Sequence, residues 1–222
     1  MATSTQAMQQ NDTLNAGMLW VKDGEALWQK TLGASEKSCS SCHTASSMKG
    51  VAPRYPAFDE QLQRPINLSQ RINQCKQKHQ QAEPLKFESQ DLLSLESYVA
   101  HQSRGMQVAP PVDKRLDSHR QQGQQRYTQR IGQLNLSCTQ CHDANAGSKL
   151  GSSQIPQAHP TGYPVYRLEW QAMGSLQRRL RNCMSGVRAE PFAYGAPELL
   201  ELELHLAQRA KGMLIETPGV RP

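Results

Sequence analysis

Three segments of the chain carry apolar side chains at helical spacing: Met18-Leu19-Trp20 through Leu27-Trp28-Lys30, Asp91-Leu92-Leu93 through Tyr98-Val99, and Pro197-Glu198-Leu199-Leu200 through Leu206-Ala207. Apolar positions that recur every three or four residues turn one stripe toward a core, so each segment predicts an amphipathic helix. No comparable run of period-two alternation appears, and the expected fold is mostly α. The stretch Gly105-Met106-Gln107-Val108-Ala109-Pro110-Pro111-Val112 has no helical period and reads as a linker.

The pattern occurs twice. Displaced by 99 positions, Gly24, Trp28, Leu32, Gly33 and Ser38 fall on Gly123, Tyr127, Ile131, Gly132 and Ser137. Displaced by 108, Tyr55-Pro56 falls on Tyr163-Pro164, Leu68 on Leu176, and Arg71-Ile72-Asn73-Gln74-Cys75 on Arg179-Leu180-Arg181-Asn182-Cys183. Displaced by 107, Leu92, Leu95, Ala100, Gly105 and Met106 fall on Leu199, Leu202, Ala207, Gly212 and Met213. A repeat over the whole length implies two like domains, here 1–110 and 111–222, each of ordinary compact-domain size.

The cores of such domains are thin. Hydrophobic residues make up 37% of the chain and aromatics 5%, with a mean hydropathy of −0.68. A large apolar prosthetic group would fill the deficit. Each half carries the means to hold one: Cys39-Ser40-Ser41-Cys42-His43 and Cys138-Thr139-Gln140-Cys141-His142. Two thiols a turn apart bond covalently to a porphyrin, and the adjacent imidazole becomes the proximal ligand of its iron. Zinc binding or dithiol redox chemistry accounts for a lone cysteine pair; the histidine that follows both pairs favours haem. The expectation is two covalently bound haem c groups, one on Cys39 and Cys42 with His43, the other on Cys138 and Cys141 with His142. The fold class is then two tandem cytochrome c domains related by an internal repeat.

Two cysteines remain, Cys75 and Cys183, and they occupy equivalent positions of the repeat. Equivalent residues of two domains usually lie near their own haem, whereas a disulfide needs Cα atoms within about 7 Å. Both are therefore read as distal iron ligands. Methionine is the competing ligand, with Met48, Met106, Met173, Met184 and Met213 as candidates. Met106 and Met213 repeat, but they follow the closing helix of each half, where an apolar side chain packs the core. An arginine precedes each leftover cysteine by four residues, which places Arg71 beside Cys75 and Arg179 beside Cys183 on a helix face. Such a charge lowers a thiol pKa and offers a fork of donors to an anion. The plainer alternative is a solvated arginine on an exposed helix. With Arg178 and Arg181 adding to the density in the second half, an anionic sulfur substrate is expected there.

The formal net charge of +6 excludes little. Haem propionates offset it, and the basic residues are scattered rather than gathered in a tail, so no nucleic-acid partner is expected. Arg178, Arg179, Arg181 and Arg188 form a local basic surface that would steer an acidic protein or an anion. No apolar stretch reaches 18 residues, so no membrane span is expected. The polar beginning, Met1 to Ala16, lacks a basic end and an apolar stretch. Because c-type attachment takes place outside the bacterial cytoplasmic membrane, the native compartment is expected to be the periplasm, with a signal peptide removed or replaced before Met1.

These residues carry a family resemblance. Arg179-Leu180-Arg181-Asn182-Cys183-Met184, Glu190-Pro191-Phe192-Ala193-Tyr194-Gly195, Glu198-Leu199-Leu200-Glu201-Leu202 and Thr217-Pro218-Gly219-Val220-Arg221-Pro222 are similar to the C-terminal haem domain of the SoxA family. Its members are dihaem subunits of the SoxAX cytochromes of bacterial sulfur oxidation. The resemblance extends to Gly17-Met18-Leu19-Trp20 through Ala26-Leu27-Trp28 and covers nearly the whole chain, most weakly at the linker. It implies an L-cysteine S-thiosulfotransferase that couples thiosulfate oxidatively to a cysteine of the SoxYZ carrier protein and releases two electrons. It also implies a heterodimer with SoxX, a small monohaem cytochrome c. The ligand sets would be His43 and Cys75 for the first haem, His142 and Cys183 for the second. The second would be catalytic, with Cys183 as a cysteine persulfide and Arg179 holding thiosulfate. Two other classes stay open: a dihaem thiosulfate dehydrogenase that forms tetrathionate, and a dihaem electron-transfer cytochrome.

Overall fold

The computed structural model describes residues 2–151 and 153–222. In the N-terminal half α1 (Thr3–Gln10) and α2 (Gly17–Gln29) lead to a hairpin of β1 (Ala57–Asp59) and β2 (Arg64–Ile66), then α3 (Leu68–Cys75) and α4 (Gln90–His101). The C-terminal half repeats the plan with α5 (Asp117–Thr128), α6 (Cys138–His142), a small hairpin of β3 (Lys149–Leu150) and β4 (Ser153–Gln154), the hairpin β5 (Val165–Arg167) and β6 (Ala172–Gly174), α7 (Leu176–Gly186) and α8 (Pro197–Arg209). β7 (Gly219–Arg221) closes the chain parallel to β5. Helices carry each domain's core, but the short hairpins depart from the sequence expectation. Strands of two or three residues are too brief to leave a period-two pattern.

Two helix pairs organise the halves, α2 on α4 and α5 on α8. Their contact depends on the repeated glycines. A Cβ on Gly24 would lie 2.1 Å from the Ser94 carbonyl oxygen, and one on Gly123 would lie 1.9 Å from that of Glu201. The bare Cα lets the backbones touch. Around the first pair cluster Val21, Trp28, Leu68, Leu95, Tyr98 and Val99; around the second, Tyr127, Met184, Leu199, Leu202 and Leu206. α5 itself is nearly all polar, burying only Gly123 and Tyr127.

The linker reading needs correction. Residues 105–108 pair with 212–215, the equivalent segment of the other half: the Gly105 and Val108 N–H groups donate to the Ile215 and Met213 carbonyls, and the Gly212 and Ile215 N–H groups donate to those of Val108 and Met106, all at 2.8–2.9 Å. Val108, Ala210 and Ile215 are buried beneath this clasp. Met106 and Met213 belong to it and not to the cores, and Met213 is exposed. Backbone pairing between distant segments leaves no local pattern for sequence to reveal. A second junction is formed by Leu93 of α4, Tyr166 of β5 and Met173 of β6, with Trp20 against them.

Candidate active site

The N-terminal motif begins at a cap. Ser38 Oγ accepts from the Ser41 N–H at 3.1 Å, and Ser41 Oγ accepts from the Ser38 N–H at 3.0 Å, which satisfies the first donors of a short 3-10 turn. That turn presents Cys39, Cys42 and His43 to one cavity of about 550 Å³. Cys75 reaches the same cavity from α3, and Trp28, Met48, Ile72 and His79 complete much of its wall. Volume, apolar lining and a few convergent polar groups suit a cofactor. Burial pushes both the Cys39 and the Cys75 thiol up. The expected lowering of Cys75 by Arg71 is thus overturned: Arg71 acts in that direction, but desolvation outweighs it.

Arg71 is already engaged. Its Nη2 lies 2.9 Å from Asp59 Oδ2, its Nε donates to Tyr55 Oη at 3.2 Å and its Nη1 to Gln74 Oε1 at 2.9 Å. The Asp59 side chain is 3% exposed and accepts from the Leu62 N–H at 2.8 Å. Although burial opposes it, this N–H and the Arg71 charge hold Asp59 below its ordinary pKa.

In the C-terminal half Ser137 and Gln140 form the equivalent cap of α6. His142 Nδ1 lies 2.7 Å from the Pro156 carbonyl oxygen. Since a carbonyl only accepts, Nδ1 carries the proton and Nε2 keeps its lone pair for a metal. Cys138 lies beside Cys183; burial, and then this neighbour, push the Cys138 thiol up to about 11. Cys138 also packs against the buried cluster of Tyr127, Met184, Leu199, Leu202 and Leu206. All six cysteines are free, so Cys75 and Cys183 stand in separate sites without a bridge. Of the methionine candidates, Met48 alone lines the N-terminal cavity, Met184 packs in the C-terminal core and Met173 at the junction of the halves.

The arginines on α7 separate by what they touch. Arg178 stacks on Trp170 at 4.1 Å, and Arg181 stacks on Tyr194 at 4.5 Å while bonding the Phe192 carbonyl. Arg179, half-buried one turn before Cys183, makes no side-chain hydrogen bond or ion pair among the described residues. The residues that surround it were not singled out by the sequence. Tyr163, the counterpart of Tyr55, is pushed up to about 12 by burial despite the nearby Arg179 charge, with Arg167 and Arg221 also acting on it. The signal for Tyr163 was present, since Tyr-Pro is one of the repeated pairs.

Cysteine pairs capped by serine, each followed by histidine and each with a further thiol on a helix of the same half, define the class: c-type cytochromes. The family model described as SoxA/TsdA, cytochrome c domain matches twice, at residues 23–108 and 122–215. The chain is 38% identical to the L-cysteine S-thiosulfotransferase subunit SoxA of Pseudaminobacter salicylatoxidans, over 93% of this chain and 73% of that one. It is 33% identical to the same subunit from Rhodovulum sulfidophilum, over 98% and 76%. The crystal structure of SoxXA from P. pantotrophus superposes with a TM-score of 0.95 at 31% identity, covering all of this chain and 84% of that chain. The chain belongs to the SoxA family of cytochrome c proteins. Covalent haem c comes with that family, and no helix among the described residues is long and apolar enough to cross a membrane.

Proposed function

We propose that the chain is the SoxA subunit of an L-cysteine S-thiosulfotransferase, joining thiosulfate to a cysteine of a SoxYZ-type carrier. The reaction takes the carrier thiolate and thiosulfate to a cysteine S-thiosulfonate, forms one S–S bond and releases two electrons. Two covalent haem c groups are assigned, on Cys39, Cys42, His43 and Cys75, and on Cys138, Cys141, His142 and Cys183. When bound, haem supplies an acceptor for those electrons. His142 would hold the second haem's iron through Nε2, since its Nδ1 is engaged by the Pro156 carbonyl. Cys183 serves as the sulfur ligand and covalent attachment point, carrying an extra sulfur as a persulfide. Arg179 binds the substrate anion and stabilises charge on it.

One observation carries the assignment of chemistry to the second half. Arg179, one turn before Cys183, makes no side-chain hydrogen bond or ion pair among the described residues, whereas the equivalent Arg71 is paired with the buried Asp59. A buried carboxylate already answers the Arg71 charge before any substrate anion arrives. The domain division at 110/111, a periplasmic location and a heterodimer with a SoxX-type monohaem cytochrome that receives the electrons complete the reading. It is tested by mixing the heterodimer with thiosulfate, an electron acceptor and the carrier, and following the carrier by mass spectrometry. A thiosulfonate adduct that depends on all components supports the function; an unchanged carrier opposes it.

A further inference from the structure

The two halves differ in charge at one matched position of their hairpins. β1 ends at Asp59, paired across the hairpin with Arg64; β5 ends at Arg167, paired with Ala172. Displacement by 108, the same that relates Tyr55 to Tyr163 and Arg71 to Arg179, relates Asp59 to Arg167. The first half therefore gives its helix arginine a resident carboxylate. The second gives it another arginine.

Arginines stay protonated in proteins, so such a pair is repulsive until an anion joins it. Burial, and after it the Arg179 charge, hold Arg167 below its ordinary pKa. Arg167 is 9% exposed and its buried Nε has no hydrogen-bond partner among the described residues. Its Nη2 donates to Glu169 Oε2 at 2.7 Å, but that carboxylate side chain is 65% exposed and answers one charge of two. Trp170 lies 5.0 Å beneath the guanidinium, fixing its plane. Arg221, next to Arg167 in the parallel ladder, is matched by Glu216 at 2.9 Å.

We propose that Arg167 is the second anion-binding residue of the Cys183 site, placed where the first half has Asp59 so that Arg179 and Arg167 together hold a doubly charged sulfur oxyanion. Asp59 marks by contrast what this exchange removes, an internal anion that would compete with substrate. The inference deepens the functional reading above and rests on it. Arg167 is a specificity-determining residue: it selects a dianion over a monoanion, while Cys183 remains the site of bond formation.

The test uses the complete haem-loaded heterodimer with carrier, comparing Arg167→Gln, Arg167→Asp and Arg167→Lys with the native chain. Losing a charged hydrogen bond costs on the order of tenfold to a hundredfold in binding. KM for thiosulfate should rise roughly tenfold in Arg167→Gln and about a hundredfold in Arg167→Asp, whose carboxylate would recreate the Asp59–Arg71 arrangement. The rate at saturating thiosulfate should stay within about threefold, the pattern of lost binding rather than lost chemistry. Arg167→Lys should recover most of the affinity, and calorimetry of thiosulfate with the oxidised complex should show the same ranking. An unchanged KM in Arg167→Gln, or a fall in maximal rate alone, overturns the proposal. Should Arg167→Asp fail to fold, Arg167→Gln and Arg167→Lys decide. A native complex that neither binds thiosulfate nor modifies the carrier defeats the functional reading itself, before any variant is compared.

Discussion

Arg71 and Arg179 are the same residue type at the same place in a repeated helix, and their surroundings give them different work. Arg179→Ala should keep full covalent haem, because it touches none of the assigned ligands, yet lower thiosulfate-dependent carrier modification by on the order of a hundredfold. Arg71→Ala should leave turnover per haem largely intact. It should instead lower stability by about 1–3 kcal/mol, since it strands the buried Asp59 carboxylate. Haem content, thermal melts and turnover measured on both variants check this; equal loss of turnover would mean that the active half is wrongly assigned. The two Cys-x-x-Cys-His motifs were legible because their spacing is local. Asp59 and Arg167 were not, because a search for repeats rewards identity, and this pair matters through its difference.

Among the elements, the sequence announced α2, α4 and α8 through apolar stripes. It did not announce α5, whose buried face amounts to Gly123 and Tyr127, and only the repeat hinted that it matches α2. Its stability comes from backbone contact with α8 and from the ion pair of Glu201 with Arg126 at 2.7 Å, with His119 Nδ1 3.4 Å from the same carboxylate. Gly24→Ala and Gly123→Ala should therefore be costly despite adding one methyl group. A Cβ about 2 Å from a carbonyl oxygen cannot be accommodated without parting the helices, and overpacking of this kind costs about 1–3 kcal/mol or more. Denaturant melts should show both midpoints lowered, whereas Gly186→Ala, at an exposed helical glycine with no described atom within 4 Å of its Cβ position, should change the midpoint little. The hairpin strands stayed hidden because two or three residues are too few to show alternation, and the clasp at 105–108 because its partner lies far along the chain.

Across the whole molecule the halves meet around buried carboxyls. Glu203 of α8 accepts from Gln177 at 2.6 Å and Asn67 at 3.1 Å, and Glu96, its equivalent on α4, accepts from Ser69. Both line a small cavity between the domains, with Glu88 nearby. Burial pushes Glu96 up to about 8 and Glu203 up to about 7. The folded chain thus holds protons that the unfolded chain gives up near the ordinary carboxyl pKa of about 4.5. The stability these groups confer is full below that value, declines as pH rises and is gone above about 8. Glu96→Gln with Glu203→Gln should flatten the decline between pH 5 and 8 in chemical melts. An unaltered slope would show that neither carboxyl stays protonated in the fold.

The central claim, that this two-domain cytochrome joins thiosulfate to a protein cysteine, is met most directly by one product analysis. Purified heterodimer, thiosulfate and an electron acceptor are incubated with and without a SoxYZ-type carrier, and both the carrier mass and the small-molecule products are read. A thiosulfonate adduct on the carrier cysteine is expected, with two electrons passed on for each adduct formed and no build-up of tetrathionate. Tetrathionate made at the same rate whether or not carrier is present, with the carrier unmodified, would contradict it.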